Sequence, residues 1–525
     1  MAFVISDIER RVIPNWRNFG ETCYMGELGS YKQNPMLIKP YPIDEYIESW
    51  NDNKNILYAS ELISAAIAND QTHREEVFGA SDYIIENKDN ANTIQLDLAN
   101  SILTNAEQTP DRVPSESLLD KLSSREEIWP KVAYMKYRIS EYPYNPILYV
   151  ETARYYILLG QPEKAKQMMA IAIHLAPNNR YVVRCAARMW LHFYDIEKAH
   201  DVLIHNEMLK SDSWLLASEI SINMLRGRSS RNIKVAKAML NSGNYSPFSI
   251  TELASTLGTM EYIEGSIKKS RDFFNQSLLK PNDNSLAQAE WAVSKKIPLI
   301  IKGKDAVEVK KNSEAMFRYN YQKDNFADAL ENAVDWLCDM PFSFEAALAG
   351  SNTAYIHLKK YDVAEKILNV GLNAHPNAPT LLNNLAYTLA LDGKLDDANA
   401  KIEQVERLGK TEVDIETEVC LTATKGLVAF RKKDVNLGRL LYHEAINKAR
   451  ELKDKELIWN AALNYLREEM IATGEMPPED IINKVRGIQA NSDQKYITVL
   501  KEDVLALWEK RTFNVKTQPD PNKPV

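Results

Sequence analysis

The stretch whose reading decides the fold is PTLLNNLAYTLALDGKLDDANAKIEQV, residues 379–405. Counting Pro379 as position 1, Leu382, Leu385, Ala386 and Leu389 fall at positions 4, 7, 8 and 11. Ala398, Ile402 and Val405 fall at 20, 24 and 27. Spacings of three and four place each set on one face of a helix. An earlier stretch repeats the pattern. Counting from Pro146, Tyr149, Ala153, Tyr156 and Gly160 occupy positions 4, 8, 11 and 15, and Ala165, Met169, Ala172 and Pro177 occupy 20, 24, 27 and 32. Equivalent residues recur elsewhere at the same interval: 34 from Ala165 to Ala199, 35 from Ala329 to Ala364, and 34 from Ala364 to Ala398. A fixed period of that size is the mark of a repeat array.

On these residues both stretches resemble the tetratricopeptide repeat (TPR), a helix–turn–helix unit of about 34 residues. The resemblance implies small residues at 8 and 20, where the two helices approach most closely. Larger apolar residues at 4, 7, 11 and 24 fill the space beside the crossing. Weaker copies read over 180–211 (Val183, Ala187, Trp190, Ala199), 248–281 (Leu257, Gly258, Phe274, Pro281), 310–344, 345–378 and 419–450 (Gly426, Gly438, Tyr442). Residues 212–247 and 296–309 break the pattern. The expected fold is therefore all-α, a right-handed α-solenoid of TPR hairpins carrying an acidic helical segment at its N-terminus. Its expected divisions are an irregular arm (1–42), the acidic segment (43–110), a first TPR block (111–296), a joint (297–309), a second block (310–472), capping helices (473–512) and a disordered tail (513–525).

Composition narrows the function. The chain has 525 residues, a formal charge of −8 and only 18 glycines. The ordinary balance of apolar and charged residues excludes global disorder, and the mild acidity is wrong for a protein that coats DNA or an anionic membrane. No window of about 18 consecutive apolar residues offers a membrane span. The N-terminus lacks the pattern of a signal peptide. Cys23, Cys185, Cys338 and Cys420 form no CxxC pair, so buried thiols in a reducing cytoplasm are the expectation. Residues 43–110 hold thirteen acids against Lys54, Arg74 and Lys88, so this segment alone carries more negative charge than the whole chain. That acidity argues against nucleic-acid binding by its helices, because affinity for DNA rests on neutralising phosphates.

Chemistry-bearing motifs are absent. There is no GxxxxGK[ST], no GxGxxG and no GxSxG, so neither a phosphate loop nor a serine-hydrolase elbow is offered. His192, His200 and His205 lack the spacing of zinc ligands. Arg188/His192 loosely resembles the Arg–His pair of HEPN-type helical ribonucleases, at a shorter spacing. No catalytic residue, metal or cofactor is expected.

The resemblance instead directs attention to the inner face, lined in this family by helix A. Carried over position by position, it offers Arg154, Ile157, Leu158, Arg184, Arg188, Arg318, Asn383, Tyr387 and Arg431 as partner-binding residues. The carboxylate clamp that grips acidic chaperone tails is not matched, since Arg replaces the expected Asn and Lys. Arg154, Arg184 and Arg188 form a guanidinium cluster suited to carboxylates, unless they pair within the chain. A second basic feature is the run from Arg226 to Lys237, which has no acid in it. The expected function is a non-enzymatic cytoplasmic adaptor holding a partner protein or acidic peptide. The alternatives are a peptide-sensing regulator acting through the N-terminal segment and a helical nuclease at Arg188/His192.

Overall fold

The computed structural model describes residue 16 and residues 43–68, 71–72, 74–106, 125–301, 309, 311–409, 413–490 and 495–517. The expected arm at 1–42 (Trp16 excepted), residues 107–124 at the edge of the first block, most of the joint and the end of the tail lie outside them. Every regular element among the described residues is helical.

The first four helices are α1 (Ile43–Asp52), α2 (Ile56–Ala68), α3 (Glu75–Glu86) and α4 (Thr93–Ala106). They share a core of Trp50, Leu62, Ile63, Val77, Ile84 and Ile102. Trp50 meets Tyr83 edge-on at 5.2 Å. Helix α5 (Arg125–Glu141) follows, joined to this unit by an Arg138–Asp97 ion pair at 2.6 Å.

Helical hairpins then succeed one another. They pair α6 (Pro146–Leu158) with α7 (Pro162–Leu175), α8 (Arg180–His192) with α9 (Ile196–Ile204), α10 (Ser213–Leu225) with α11 (Ile233–Asn241), and α12 (Thr251–Ile263) with α13 (Ile267–Ser277). After α14 (Asp283–Ser294) come α15 (Ser313–Gln322) with α16 (Phe326–Asp339), and α17 (Phe344–Asn352, continued by a π-turn to His357) with α18 (Tyr361–Ala374). The last pairs are α19 (Pro379–Leu391) with α20 (Leu395–Arg407) and α21 (Ile415–Arg431) with α22 (Val435–Glu451). The chain closes with α23 (Lys455–Thr473), α24 (Glu479–Arg486) and α25 (Lys495–Thr517). Sequential packing of adjacent hairpins makes this an α-solenoid, a TPR-like helical repeat.

Local chemistry explains the boundaries. Pro146, Pro162 and Pro379 sit in the first helical turn, where a missing N–H costs nothing. Side chains of Asn145, Asn179, Asp212, Ser343, Asp414 and Asp454 accept bonds from first-turn amides. Each hairpin turn places one residue at positive φ: Gly160, Tyr194, Gly227, Gly265, Asp324, Lys359, Gly393 and Lys433, with Lys296 after α14. The next amide bonds back five residues, as in Gln161 N to Tyr156 O and Lys394 N to Leu389 O, except after the π-turn, where Lys360 N bonds back six to Ala354 O. That is the Schellman closure of a helix end. Glycine serves it without strain; Tyr194, Lys359 and Lys433 take the same conformation at a cost of about 1–2 kcal/mol.

The small positions behave as the spacing requires. Ala153, Ala165, Ala199, Ala329, Ala364, Ala386 and Ala398 are fully buried. In the α21/α22 hairpin both places are glycine, and a Cβ on Gly438 would fall 2.6 Å from a Phe430 ring carbon. The 212–247 stretch keeps the hairpin order, with a longer turn between its helices and a long connection to α12. Arg226 bonds Glu197 through Nε and Nη2 (2.9 and 2.5 Å), and Ser230 donates to Glu219 (2.6 Å), which tie that turn down.

Contacts also cross between distant hairpins. Met340, Phe342 and Ala374 share one core with Tyr149, Val150, Met189 and Trp16. Trp16 lies 5.7 Å from Phe342. The His192 and His375 rings are 4.5 Å apart. The C-terminal helices have their own core of Leu463, Met470, Ile482, Val485, Ile497 and Val504. Helix α25 runs on to Thr517, into the stretch expected to be disordered.

Candidate binding cavity

The inner helices of the later hairpins wind tightly enough that α19 touches α23, with α21 between them. The Tyr387 hydroxyl donates to Asn464 Oδ1 (2.8 Å) and accepts from Arg467 Nη2 (3.3 Å). This winding encloses two adjoining cavities of about 290 and 260 Å³. Tyr355, Ile356, Tyr387 and Leu500 belong to the walls of both.

The larger cavity has no charged side chain in its lining. Asn352, Asn383, Asn384, Asn460, Asn464, Thr380 and Thr424 give it polar groups, set among Leu348, Val419, Ala423 and Leu457. Three of its five asparagines are half satisfied. Asn383 Oδ1 accepts from Thr424 (2.9 Å), Asn352 Oδ1 accepts from Tyr355 (2.7 Å), and Asn460 Oδ1 accepts from Asn464 (2.8 Å). Their Nδ2 groups have no partner among the described residues, yet none is a sealed-off polar atom. A carboxamide offers donors and an acceptor together, which matches the peptide group.

The smaller cavity is cationic. Arg431 donates to Glu468 through Nε and Nη2 (2.7 and 3.1 Å), and Arg467 Nε adds a third bond to the same carboxylate (2.9 Å). Glu468 is only 1% exposed. Two guanidiniums therefore share one buried anion. Lys359 and Asp503 pair at the edge (2.7 Å).

Three of the nine residues expected from the sequence converge here: Asn383, Tyr387 and Arg431. The others lie elsewhere. Ile157 and Leu158 are packed in the core that joins the early hairpins to Phe342. Arg154 is buried, with Nη2 3.4 Å from Asp339 O. Arg184 is buried against Glu252 (2.5 Å) with its guanidinium over Trp214. Arg188 is half-buried near the His192–His375 pair. Arg318 reaches Glu314 one turn away (3.4 Å). Within the basic run, Arg226 pairs with Glu197 and Lys237 with Glu261 (2.8 Å). Arg467, Glu468, Asn464 and the α25 residues escaped the sequence reading, which ended the second block at 472 and took 473–512 as capping helices. The signal available was the polar row Asn460, Asn464, Arg467 and Glu468 at helical spacing along one face of α23.

Ionisation argues against covalent chemistry at the cavity. Burial pushes the Cys420 thiol up to about 12, so it stays protonated rather than nucleophilic. Burial first, then Lys495, lowers His357 to about 4. At the Arg188/His192 pair, burial first, then His375 and Arg188, hold the His192 imidazole well below its ordinary value. That ring packs against His375, Phe193 and Phe342. No cluster able to hold a metal occurs among the described residues, and no described helix is long and apolar enough to cross a membrane.

No family model matches the chain, and no curated protein matches it. Among solved structures, the crystal structure of the yeast Tom70 aligns with 75% of this chain and 96% of its own, at 13% identity and a TM-score of 0.30.

Proposed function

We propose that this protein is a non-enzymatic interaction scaffold of the cytoplasm that holds a partner through an acidic peptide segment seated in the paired cavities. One observation carries the reading. Inner-face residues of several hairpins converge on a space that offers unpartnered carboxamide donors beside an excess of guanidinium. Extended chain has a peptide group every residue, and the asparagine side chains can bond it in a sequence-tolerant way. The guanidiniums add selectivity for a carboxylate. The space is too small for a partner helix about 10 Å across, but it suits a few residues of extended chain.

The expected partner-binding role of Arg154, Ile157, Leu158, Arg184, Arg188 and Arg318 is not part of this proposal, because each is committed to the core, to another residue of the chain or to the hairpin junction. Affinity purification from the native host, comparing wild-type chain with a Asn383→Ala/Arg431→Ala double variant, tests the reading. A partner captured by wild type and lost from the variant supports it. Capture of the same set by both removes the cavity as the binding site.

A further inference from the structure

The cavities are roofed by α25. Tyr496 and Leu500 close the amide-lined compartment, and Leu500 and Asp503 close the cationic one. The two sides of this helix are fastened differently. Towards α23 and α24 the fastening is a deep apolar seam reinforced by polar bonds: Ile497 and Val504 are fully buried with Leu463, Met470, Ile482 and Val485, Tyr496 donates to Glu456 (2.6 Å), and Lys501 donates to Arg486 O (2.9 Å) and Ile488 O (2.8 Å). Towards the opposite wall it is polar. Lys495 Nζ donates to Tyr321 O (2.7 Å), Gln322 O (2.9 Å) and Asp324 Oδ1 (2.5 Å) at the C-terminal end of α15. Tyr321 O also accepts from the Asp324 amide (3.3 Å), and a cation is favoured at such a helix C-terminus. The ammonium also sits over the rings of Tyr321 and Phe326. Lys495 itself lines neither cavity. A buried apolar seam with its own bonds on one side, against the Lys495 bonds and the Lys359–Asp503 pair (2.7 Å) on the other, describes a hinge and a latch.

The roof also changes the charge of the site. Lys359, Arg431 and Arg467 face Glu468 and Asp503 in the cationic compartment. Glu468 is built into the inner wall, whereas Asp503 arrives with the roof. Lifting α25 would take one carboxylate away and leave Lys359 free to receive another. We propose that α25 is a strap over the binding site, with Asp503 holding Lys359 in place of a ligand carboxylate, and that an acidic peptide enters by displacing it. This rests on the peptide-binding reading above and adds its regulation.

The test uses the full chain and two pools of fluorescein-labelled hexapeptides, alike in their randomised apolar positions. One pool carries two Asp residues and the other two Asn residues. Fluorescence anisotropy gives affinities for wild type, Lys495→Ala and Asp503→Asn. Loss of the charge-assisted bonds of Lys495 raises the open fraction, so Lys495→Ala binds the acidic pool about tenfold more tightly than wild type. Asp503→Asn removes only an exposed competing pair and gains about two- to fivefold. Opening favours any occupant, so the neutral pool gains from Lys495→Ala as well wherever it binds, but it gains less than the acidic pool from Asp503→Asn, because only a carboxylate replaces Asp503 on Lys359. Equal binding of the acidic pool by all three proteins overturns the strap and leaves the cavity as a peptide site. Binding of neither pool by any protein overturns the peptide-binding reading together with the strap. Should Lys495→Ala fail to fold, Asp503→Asn decides alone, because its pair lies at the surface; no gain in that variant overturns the proposal.

Discussion

Replacing Glu468 by Gln measures how far the inner wall depends on one buried anion. The carboxylate accepts two bonds from Arg431 and one from Arg467. The Arg467 side chain is 9% exposed and that of Arg431 is 31% exposed. Removing one partner of a buried ion pair costs about 3–5 kcal/mol, because the other charge stays buried without compensation. The Arg431 share is discounted, since water reaches that guanidinium. Arg467 carries most of the loss, which places Glu468→Gln near the low end, at about 3 kcal/mol. A repeat array need not unfold in one step, so the assay should be local. Amide hydrogen exchange over α21–α23 then loses protection by roughly a hundredfold, since each ~1.4 kcal/mol is a factor of ten, while α6–α9 are unchanged. Adding Arg467→Met removes the stranded charge and restores part of the protection. A loss below about threefold (~0.7 kcal/mol), or no rescue by the second substitution, would refute the claim that charge balance holds this wall together.

Four further outcomes are expected. Gly438→Ala forces a Cβ within 2.6 Å of Phe430; overpacking of about 1–3 kcal/mol exceeds the ~1 kcal/mol gained in helix propensity, so the variant unfolds at lower urea. Gly79→Ala, with nothing within 4 Å of the new methyl, shows only the gain and unfolds at higher urea. His375 donates through Nε2 to Phe342 O (2.8 Å) and faces His192, Phe344 and the charge of Arg188. Burial lowers it to about 4 from an ordinary 6.5. The unfolded chain therefore takes up a proton that the folded one refuses as pH falls from about 6.5 to 4, so stability is full above that window and is lost through it, by about 3 kcal/mol at most. Thermal unfolding against pH shows that slope in wild type and a smaller one in His375→Gln. Arg184→Ala strands Glu252, which is 3% exposed and otherwise bonded by Asn282 (2.8 Å), and lowers stability by about 3–5 kcal/mol in the same thermal assay; an unchanged midpoint would show that the pair holds little.

The parts of the fold legible in the sequence were those enforced over short range. Small residues at positions 8 and 20 are required wherever two helices cross closely, so Ala386 and Ala398, or Gly426 and Gly438, announce a hairpin without any knowledge of its neighbours. Loop chemistry was less legible. The turn after helix A needs one left-handed residue, and Gly160 and Gly393 advertise it, but Tyr194, Lys359 and Lys433 fill the same role without a glycine to mark it. The 212–247 stretch looked like a break for a similar reason: its turn is lengthened, and the bonds that fix it, Arg226 to Glu197 and Ser230 to Glu219, join residues that no short spacing relates.

Inner-face position is a property of one helix, whereas openness is a property of whatever crosses that helix later in the chain. Asn383, Tyr387, Arg431 and Arg184 all come from the same periodic argument, and periodicity cannot separate them. What separates them is contact over long sequence distance. Arg184 meets Glu252 from two hairpins on, Arg154 meets the 339 turn from the far side of the joint, and Lys495 reaches back to α15. The same logic explains why α25 was invisible as part of the site. Its apolar face reads as a cap for α23, which it is, while its cavity side carries only Tyr496, Leu500 and Asp503. A cap that also roofs the inner face couples the end of the array to its binding surface. Affinity at Arg431 and Asn383 should then depend on a lysine that touches neither, and that dependence is what distinguishes a covered site from an open groove.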